Sequence, residues 1–372
     1  MSIRVHHLLE GPEGAPVVMF SNSLGTTLEM WDDQAAALSD RYRVLRFDTR
    51  GHGRSPVPPG PYTVDDLADD ALELLDHLGI ERVAFCGLSL GGAIGMTLAL
   101  NAPERVERLI LCSTALEFGP PEGWHDRAAT VRSEGMAAIA PAGMERWFTP
   151  AAPSEVVARF DAMLRSQPVD GYAACCEALA ALDLRGQLGG VRVPALTIAG
   201  DDDPVTPPAK LEAIRAEIAG ARDAVIPGAR HLTNAEHPGF FTHVLTGFLA
   251  ESAGMHTRRA VLGDAHVDRA VAATTDFTAD FQAFITRYAW GEIWTRPGLD
   301  RRMRSAITIT ALVAGGHENE LGMHVRAALR NGLTPDEIKE ILLQSAIYCG
   351  VPAANSAFAI AREVIESHNS GA

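Results

Sequence analysis

Lysine is almost missing from this sequence: its 372 residues include 30 arginines but only Lys210 and Lys339. Chemistry that runs through a lysine imine therefore has little to draw on, which disfavours a pyridoxal-type cofactor. Cysteine is scarce as well. Cys86, Cys112, Cys175, Cys176 and Cys349 form an odd, scattered set without a Cys-x-x-Cys pair. Reduced thiols are the simple reading, with neither a disulfide framework nor a zinc site. No apolar run approaches the ~18 residues of a membrane span. The start, Met1-Ser2-Ile3-Arg4-Val5-His6-His7, lacks the apolar segment and cleavage site of a secretory leader, so a cytoplasmic location is expected. Basic charge is in deficit: the net charge is −15, of which residues 1–250 carry −13. Without a basic stripe, nucleic acid and anionic membranes are not expected as partners.

What is present is a chain long enough for two domains, with 47% hydrophobic and 21% charged residues. Up to about residue 250, short apolar runs alternate with helical patterns, as in a parallel sheet wrapped by helices. Residues 17–20, 42–47, 83–86, 109–112 and 195–199 read as buried strands. Between about 115 and 190 the alternation breaks into helices with interspersed Trp124, Trp147, Phe148 and Phe160, which suggests a helical cap over a site. Residues 252–262 read as a polar linker, dividing an α/β domain (1–251) from an all-α domain (263–372). Thr334-Pro335-Asp336-Glu337 has the form of a capping box, and Gly332 just before it suits a left-handed helix end.

Gly87-Leu88-Ser89-Leu90-Gly91 follows a strand and opens a helix of small residues, the setting of a nucleophile elbow. A serine hydroxyl needs a base, and the base needs an orienting carboxylate. Gly200-Asp201-Asp202-Asp203-Pro204 and Pro227-Gly228-Ala229-Arg230-His231 each stand just beyond a strand. In these features residues 1–250 resemble the α/β-hydrolase superfamily. The resemblance implies Ser89, Asp203 and His231 as the catalytic triad, with Asp202 and Asp201 as neighbouring alternatives for the acid. It implies the backbone N–H groups of Leu90 and Leu24 as the oxyanion hole, although Ser21-Asn22-Ser23-Leu24-Gly25 could be no more than a tight turn. Serine rather than aspartate at 89 disfavours dehalogenase and epoxide-hydrolase chemistry. The segments Phe20 to Thr26, Met30-Trp31-Asp32 and Glu145-Arg146-Trp147-Phe148-Thr149-Pro150 look like those of the 3-oxoadipate enol-lactonases, with Trp147 against the substrate.

Three blocks in order, Trp290 to Leu299, His324 to Thr334 and Tyr348 to Asn355, resemble the 4-carboxymuconolactone decarboxylases over about residues 260–368. Relatives in the wider superfamily carry Cys-x-x-Cys-x-x-x-His on a helix. Here His317 and Glu320 stand at the cysteines and His324 at the histidine, so thiol peroxidase chemistry lacks its dithiol. On a helix, His317, Glu320 and His324 would share a face. They could form a catalytic pocket, hold a metal, or be structural polar residues. Arg296 and Arg304 are candidates for substrate carboxylates, with surface ion pairs as the alternative. The resemblances together imply two consecutive steps on small lactones, without metal or organic cofactor, with copies associating through the helical domain. The rival is a serine esterase or perhydrolase whose helical domain only promotes assembly. An enol-lactone assay on the amino-terminal half separates the two.

Overall fold

The computed structural model describes residues 4–370; Met1, Ser2 and Ile3 of the amino-terminal run lie outside them. The chain divides into two compact units, Met1–Thr246 and Gly247–Ala372.

The first unit is built on seven strands: β1 (His7–Glu10), β2 (Val17–Ser21), β3 (Arg43–Phe47), β4 (Val83–Leu88), β5 (Val106–Cys112), β6 (Ala195–Gly200) and β7 (Arg222–Ile226). Their order in the sheet is β1-β3-β2-β4-β5-β6-β7, with only β1 antiparallel to its neighbour. All residues of β4 and β6 are buried, which explains their unbroken apolar runs: a central parallel strand is covered on both faces. The chain passes from β2 to β3 on one side and then returns across β2 to β4. This reversal places a crevice beyond the carboxyl ends of β2 and β4, where α/β sheets bind their ligands. The helices of this unit begin with α1 (Asp32–Leu38), α2 (Val64–His77) and α3 (Leu90–Asn101). Helix α3 is buried along nearly its whole length, so its Ala, Gly, Leu and Ile residues show no polar face.

Between β5 and β6 lie α4 (Pro121–Glu134), α5 (Ala140–Trp147), α6 (Ser154–Arg165) and α7 (Val169–Ala181), the helical insertion expected from the sequence. The insertion is pinned to the sheet's loops by close backbone contact. A Cβ on Gly171 of α7 would lie 2.2 Å from the carbonyl oxygen of Gly51, so neither loop nor helix could carry a larger residue there without moving apart. After β6 come α8 (Pro208–Glu217), the short α9 (Thr233–Glu236) and α10 (Pro238–Leu262).

Helix α10 corrects the linker reading. Residues 252–262 are helical, and the division between the units falls earlier, after Thr246. Polar composition suggested a break, but this stretch has no proline, and the helix runs on to Gly263 at φ 89°. Gly254 serves packing instead: a Cβ there would meet the Thr286 carbonyl oxygen at 2.0 Å.

The second unit continues with α11 (Asp264–Ala272), α12 (Asp276–Ile285), a π-helical turn over Thr286–Ile293, and α13 (Arg301–Gly315), α14 (Glu318–Arg330), α15 (Pro335–Cys349) and α16 (Val351–Ser370). Ile309, Val313, Leu321, Val325, Ile338, Leu342 and Ala361 form its main core. Gly332 adopts φ 93° before α15, and the capping box is formed. Thr334 Oγ1 accepts from the Glu337 N–H at 3.2 Å, and the Glu337 carboxylate accepts from the Thr334 N–H at 2.8 Å. Thr334→Ala should destabilise the helical unit by about 1 kcal/mol, the usual weight of such a cap. Thermal unfolding followed by circular dichroism checks this; an unchanged transition would mean that tertiary packing alone fixes the start of α15.

Candidate active site

At the carboxyl end of β4 the chain turns into α3 through Ser89, at φ 56° and ψ −113°. A non-glycine residue there is strained, by roughly 1–3 kcal/mol. The surroundings enforce the turn. A Cβ on Gly87 would lie 2.0 Å from the Gly91 carbonyl oxygen, and one on Gly91 would lie 2.2 Å from that of Ser21. The flanking positions must therefore be glycine for α3 to approach β2. Ser89 is held from both sides: its N–H donates to the Cys112 carbonyl at 2.9 Å, and its carbonyl accepts from Thr114 Oγ1 at 2.8 Å.

Beyond β6 and β7, Asp203 and His231 meet in a buried hydrogen-bonded pair, Oδ2 to Nδ1, at 2.8 Å. Three donors in the Asp203 turn converge on its carboxylate: the Val205 N–H (2.8 Å), the Thr206 N–H (3.1 Å) and the Thr206 hydroxyl (2.7 Å). Burial alone would raise this carboxyl group, but the charge and hydrogen bond of His231, with those Thr206 donors, bring it down to about 2. Asp201 and Asp202 are exposed, and Asp201 accepts from the Gly228 N–H. Thr206 is a site residue that sequence reasoning missed; its only signal is its place in the Asp-Pro-Val-Thr-Pro turn.

The loop after β2 reaches the same place. The Ser23 N–H is directed at Met30 Sδ and the Gly25 N–H donates to His52 Nε2 at 3.0 Å, while across the crevice the Gly91 N–H donates to the Asn22 carbonyl. Among the described residues, the N–H groups of Leu24 and Leu90, in the middle of these two runs, make no hydrogen bond. Burial pushes His52 down to about 4. The neutral ring, accepting at Nε2, faces the Arg50 carbonyl with Nδ1, which fixes its tautomer and holds the loop.

The cap closes over these groups. Ser89, His231, Leu24, Trp147, Arg127 and Arg146 line one cavity of about 30 Å³, room for about two waters. Trp147 is buried edge-on against Phe160, and its carbonyl accepts from the Leu232 N–H at 3.2 Å, next to His231. Glu236 locks the same junction, accepting from the Thr149 N–H and hydroxyl of the cap and from the Arg230 N–H. Arg127 and Arg146 were not singled out from the sequence, although Arg146 stands within the 145–150 segment.

In the second unit the expected trio is only partly brought together. His317 precedes α14 and is exposed, its ring folded back over Gly315, so it does not share the helix face. The glycines at 315 and 316 delay the start of the helix. Glu320 is exposed and close enough to His324 to raise its pKa; burial, and then the neighbouring His266, lower it further than Glu320 raises it. Among the described residues no group of three side chains stands ready to hold a metal. Arg304 donates to the carbonyl oxygens of Leu299 (3.2 Å) and Arg296 (2.7 Å), so it ties down a loop, and the Arg296 side chain is exposed. A cavity of about 190 Å³ opens elsewhere, lined by His266, Arg269, Met323, Arg326 and Arg330 on α11 and α14. No motif marks those arginines in the sequence.

Comparison with known proteins agrees with the two folds. The alpha/beta hydrolase fold family matches residues 16–238, and the carboxymuconolactone decarboxylase family matches residues 279–363. The chain belongs to both families, fused end to end. It is 41% identical over 246 residues to 3-oxoadipate enol-lactonase 2 of Acinetobacter baylyi, covering 65% of this chain and 92% of that protein. The 4-carboxymuconolactone decarboxylase of the same organism is 50% identical over 113 residues, 30% of this chain and 84% of that protein. The crystal structure of the enol-lactonase from Burkholderia xenovorans LB400 superposes with a TM-score of 0.65 at 44% identity, covering 66% of this chain and 96% of that one.

The low pKa of Asp203 links the hydrolase site to acid stability. A carboxyl group depressed from 3.8 to about 2 contributes fully above about pH 4, and its contribution is lost as pH falls toward 2. Asp203→Asn should therefore lose less stability than the wild type between pH 5 and 2.5, by roughly 2 kcal/mol. Denaturant titrations across that range check it; parallel curves would contradict the depressed Asp203 carboxyl group.

Proposed function

We propose that this chain catalyses two consecutive steps of protocatechuate catabolism in the β-ketoadipate pathway. The helical unit decarboxylates 4-carboxymuconolactone to 3-oxoadipate enol-lactone. The α/β unit hydrolyses that enol-lactone to 3-oxoadipate. The observation that carries the hydrolytic half is Ser89 on its strained elbow, in one cavity with His231, whose far nitrogen is held by Asp203 at 2.8 Å.

In this reading Ser89 Oγ attacks the lactone carbonyl while His231 Nε2 takes its proton. Asp203 holds the tautomer and offsets the imidazolium charge. The unoccupied N–H groups of Leu24 and Leu90 receive the tetrahedral oxyanion, at a helix amino terminus where negative charge is favoured. Collapse opens the ring, His231 protonates the departing enol oxygen, and the enol relaxes to the ketone. Water then releases the acyl group by the same route.

Decarboxylation needs an electron sink, and the substrate contains one. Its leaving carboxylate sits on a ring carbon next to a C=C bond conjugated with the lactone carbonyl. Loss of CO2 pushes the electron pair onto the carbonyl oxygen, and protonation at carbon completes the step. His324 is the proton donor in this reading, with Glu320 beside it. The nearby cavity lined by Arg269, Arg326 and Arg330 suits a substrate with two carboxylates better than exposed Arg296 or loop-bound Arg304 does.

Copies of the chain associate through the helical unit, and the protein works in the cytoplasm. Phe277, Phe281, Phe284 and Tyr288, at helical spacing, are 96%, 61%, 50% and 51% exposed, which supports an interface. Among the described residues no helix is long and apolar enough to cross a membrane.

Two variants test the division of labour. Ser89→Ala should abolish lactone hydrolysis and leave CO2 release intact, so that enol-lactone accumulates from 4-carboxymuconolactone. His324→Gln should slow CO2 release by roughly 10²–10⁴, the weight of general acid–base catalysis, with hydrolysis of supplied enol-lactone unchanged. Product analysis by NMR distinguishes the two. Loss of both activities in folded Ser89→Ala protein would contradict separate sites.

A further inference from the structure

The cap contributes two cations to the hydrolase cavity that the triad chemistry does not use. Arg127, on α4, and Arg146, on α5, line the cavity that holds Ser89 and His231. Neither forms an ion pair among the described residues, in contrast to Arg50–Asp70, Arg46–Asp32 and Arg132–Glu177 in the same unit. Arg146 is partly buried, lacks a hydrogen-bonded partner among the described residues, and feels the like charge of Arg127. Arg127 lies 4.6 Å from the Trp124 ring centroid, which keeps its guanidinium at the cavity. Among the described residues, two cations without an acidic partner beside the serine, one of them hydrogen-bonded only to the neutral Tyr172, form a costly arrangement unless an anion comes to them.

We propose that Arg127 and Arg146 form an anion-reading subsite that selects lactones bearing a carboxylate arm. This inference rests on the hydrolytic half of the proposed function. The enol-lactone carries an acetate arm on the ring carbon that bears the leaving oxygen. A guanidinium can hold that carboxylate through two parallel hydrogen bonds, which orients the ring as well as attracting it. The position of Arg146 is fixed relative to the base, because the carbonyl of the next residue, Trp147, accepts from the Leu232 N–H, one residue beyond His231. The cavity is smaller than a lactone, and the two arginines, with the most rotatable bonds among the lining residues, are the groups best able to swing aside and close again on the anion.

The test compares two lactones that share a ring: 3-oxoadipate enol-lactone, and α-angelica lactone, which has a methyl group in place of the acetate arm. With Arg146→Met, KM for the enol-lactone should rise about 10- to 100-fold, the weight of a charge-assisted contact, with kcat changed less. Arg146→Lys should recover part of the loss, and Arg127→Met should act in the same direction. Turnover of α-angelica lactone should stay within about threefold of wild type, which also reports on folding. Equal losses on both lactones, or no loss on either, would overturn the subsite. Wild-type protein that hydrolyses α-angelica lactone but not the enol-lactone would overturn the proposed function itself, before any variant is compared.

Discussion

The hydrolase unit depends on a backbone approach too close for side chains. The carbonyl oxygens of Gly91 and Ser21 occupy the space that a Cβ on Gly87 or Gly91 would need, and that contact drives Ser89 to positive φ. The strain is not distributed; it is concentrated at the residue whose hydroxyl must clear the sheet. The same approach brings the Gly91 N–H to the Asn22 carbonyl, so the elbow and the loop after β2 are one assembly. His52, kept neutral by burial, braces that loop from the other side. What remains, among the described residues, is a pair of N–H groups, those of Leu24 and Leu90, without a hydrogen-bond acceptor. They were left free because their neighbours on both sides are committed.

Electrostatics ties the two halves into one account. At −15 the chain repels anions at long range, yet both proposed substrates carry carboxylates. The proposed opposing local field comes from arginines that line the two cavities and have no acidic partner among the described residues: Arg127 and Arg146 in one unit, and Arg269, Arg326 and Arg330 in the other. The near absence of lysine fits this division. A planar guanidinium holds a carboxylate with direction, whereas an ammonium supplies only charge.

Much of this was legible in the sequence, for identifiable reasons. Central strands such as β4 and β6 announce themselves because burial on both faces demands continuous apolar residues. Strand β1, four residues at the antiparallel edge with alternating exposure, offered no such signal. The elbow and the Asp203 turn could be read because each is local: a few consecutive residues specify the geometry. The cap arginines could not, since α4 and α5 bring them together from positions nineteen residues apart. The polar stretch at 252–262 misled for the opposite reason. Its composition suits a linker, but Gly254 is there for a close helix contact, and only Gly263 ends the helix. His317 stands at the cap of α14 rather than within it, because Gly315 and Gly316 end the preceding helix, so spacing alone does not place it on the helix face.

The central claim is that one chain performs both steps in order, and a stoichiometry tests it most directly. Purified protein is supplied with 4-carboxymuconolactone alone, after dialysis, while CO2 and 3-oxoadipate are measured together. The account predicts one 3-oxoadipate for each CO2 released, with enol-lactone appearing only in passing. Release of CO2 without 3-oxoadipate, or no CO2 from protein that hydrolyses supplied enol-lactone, would contradict it.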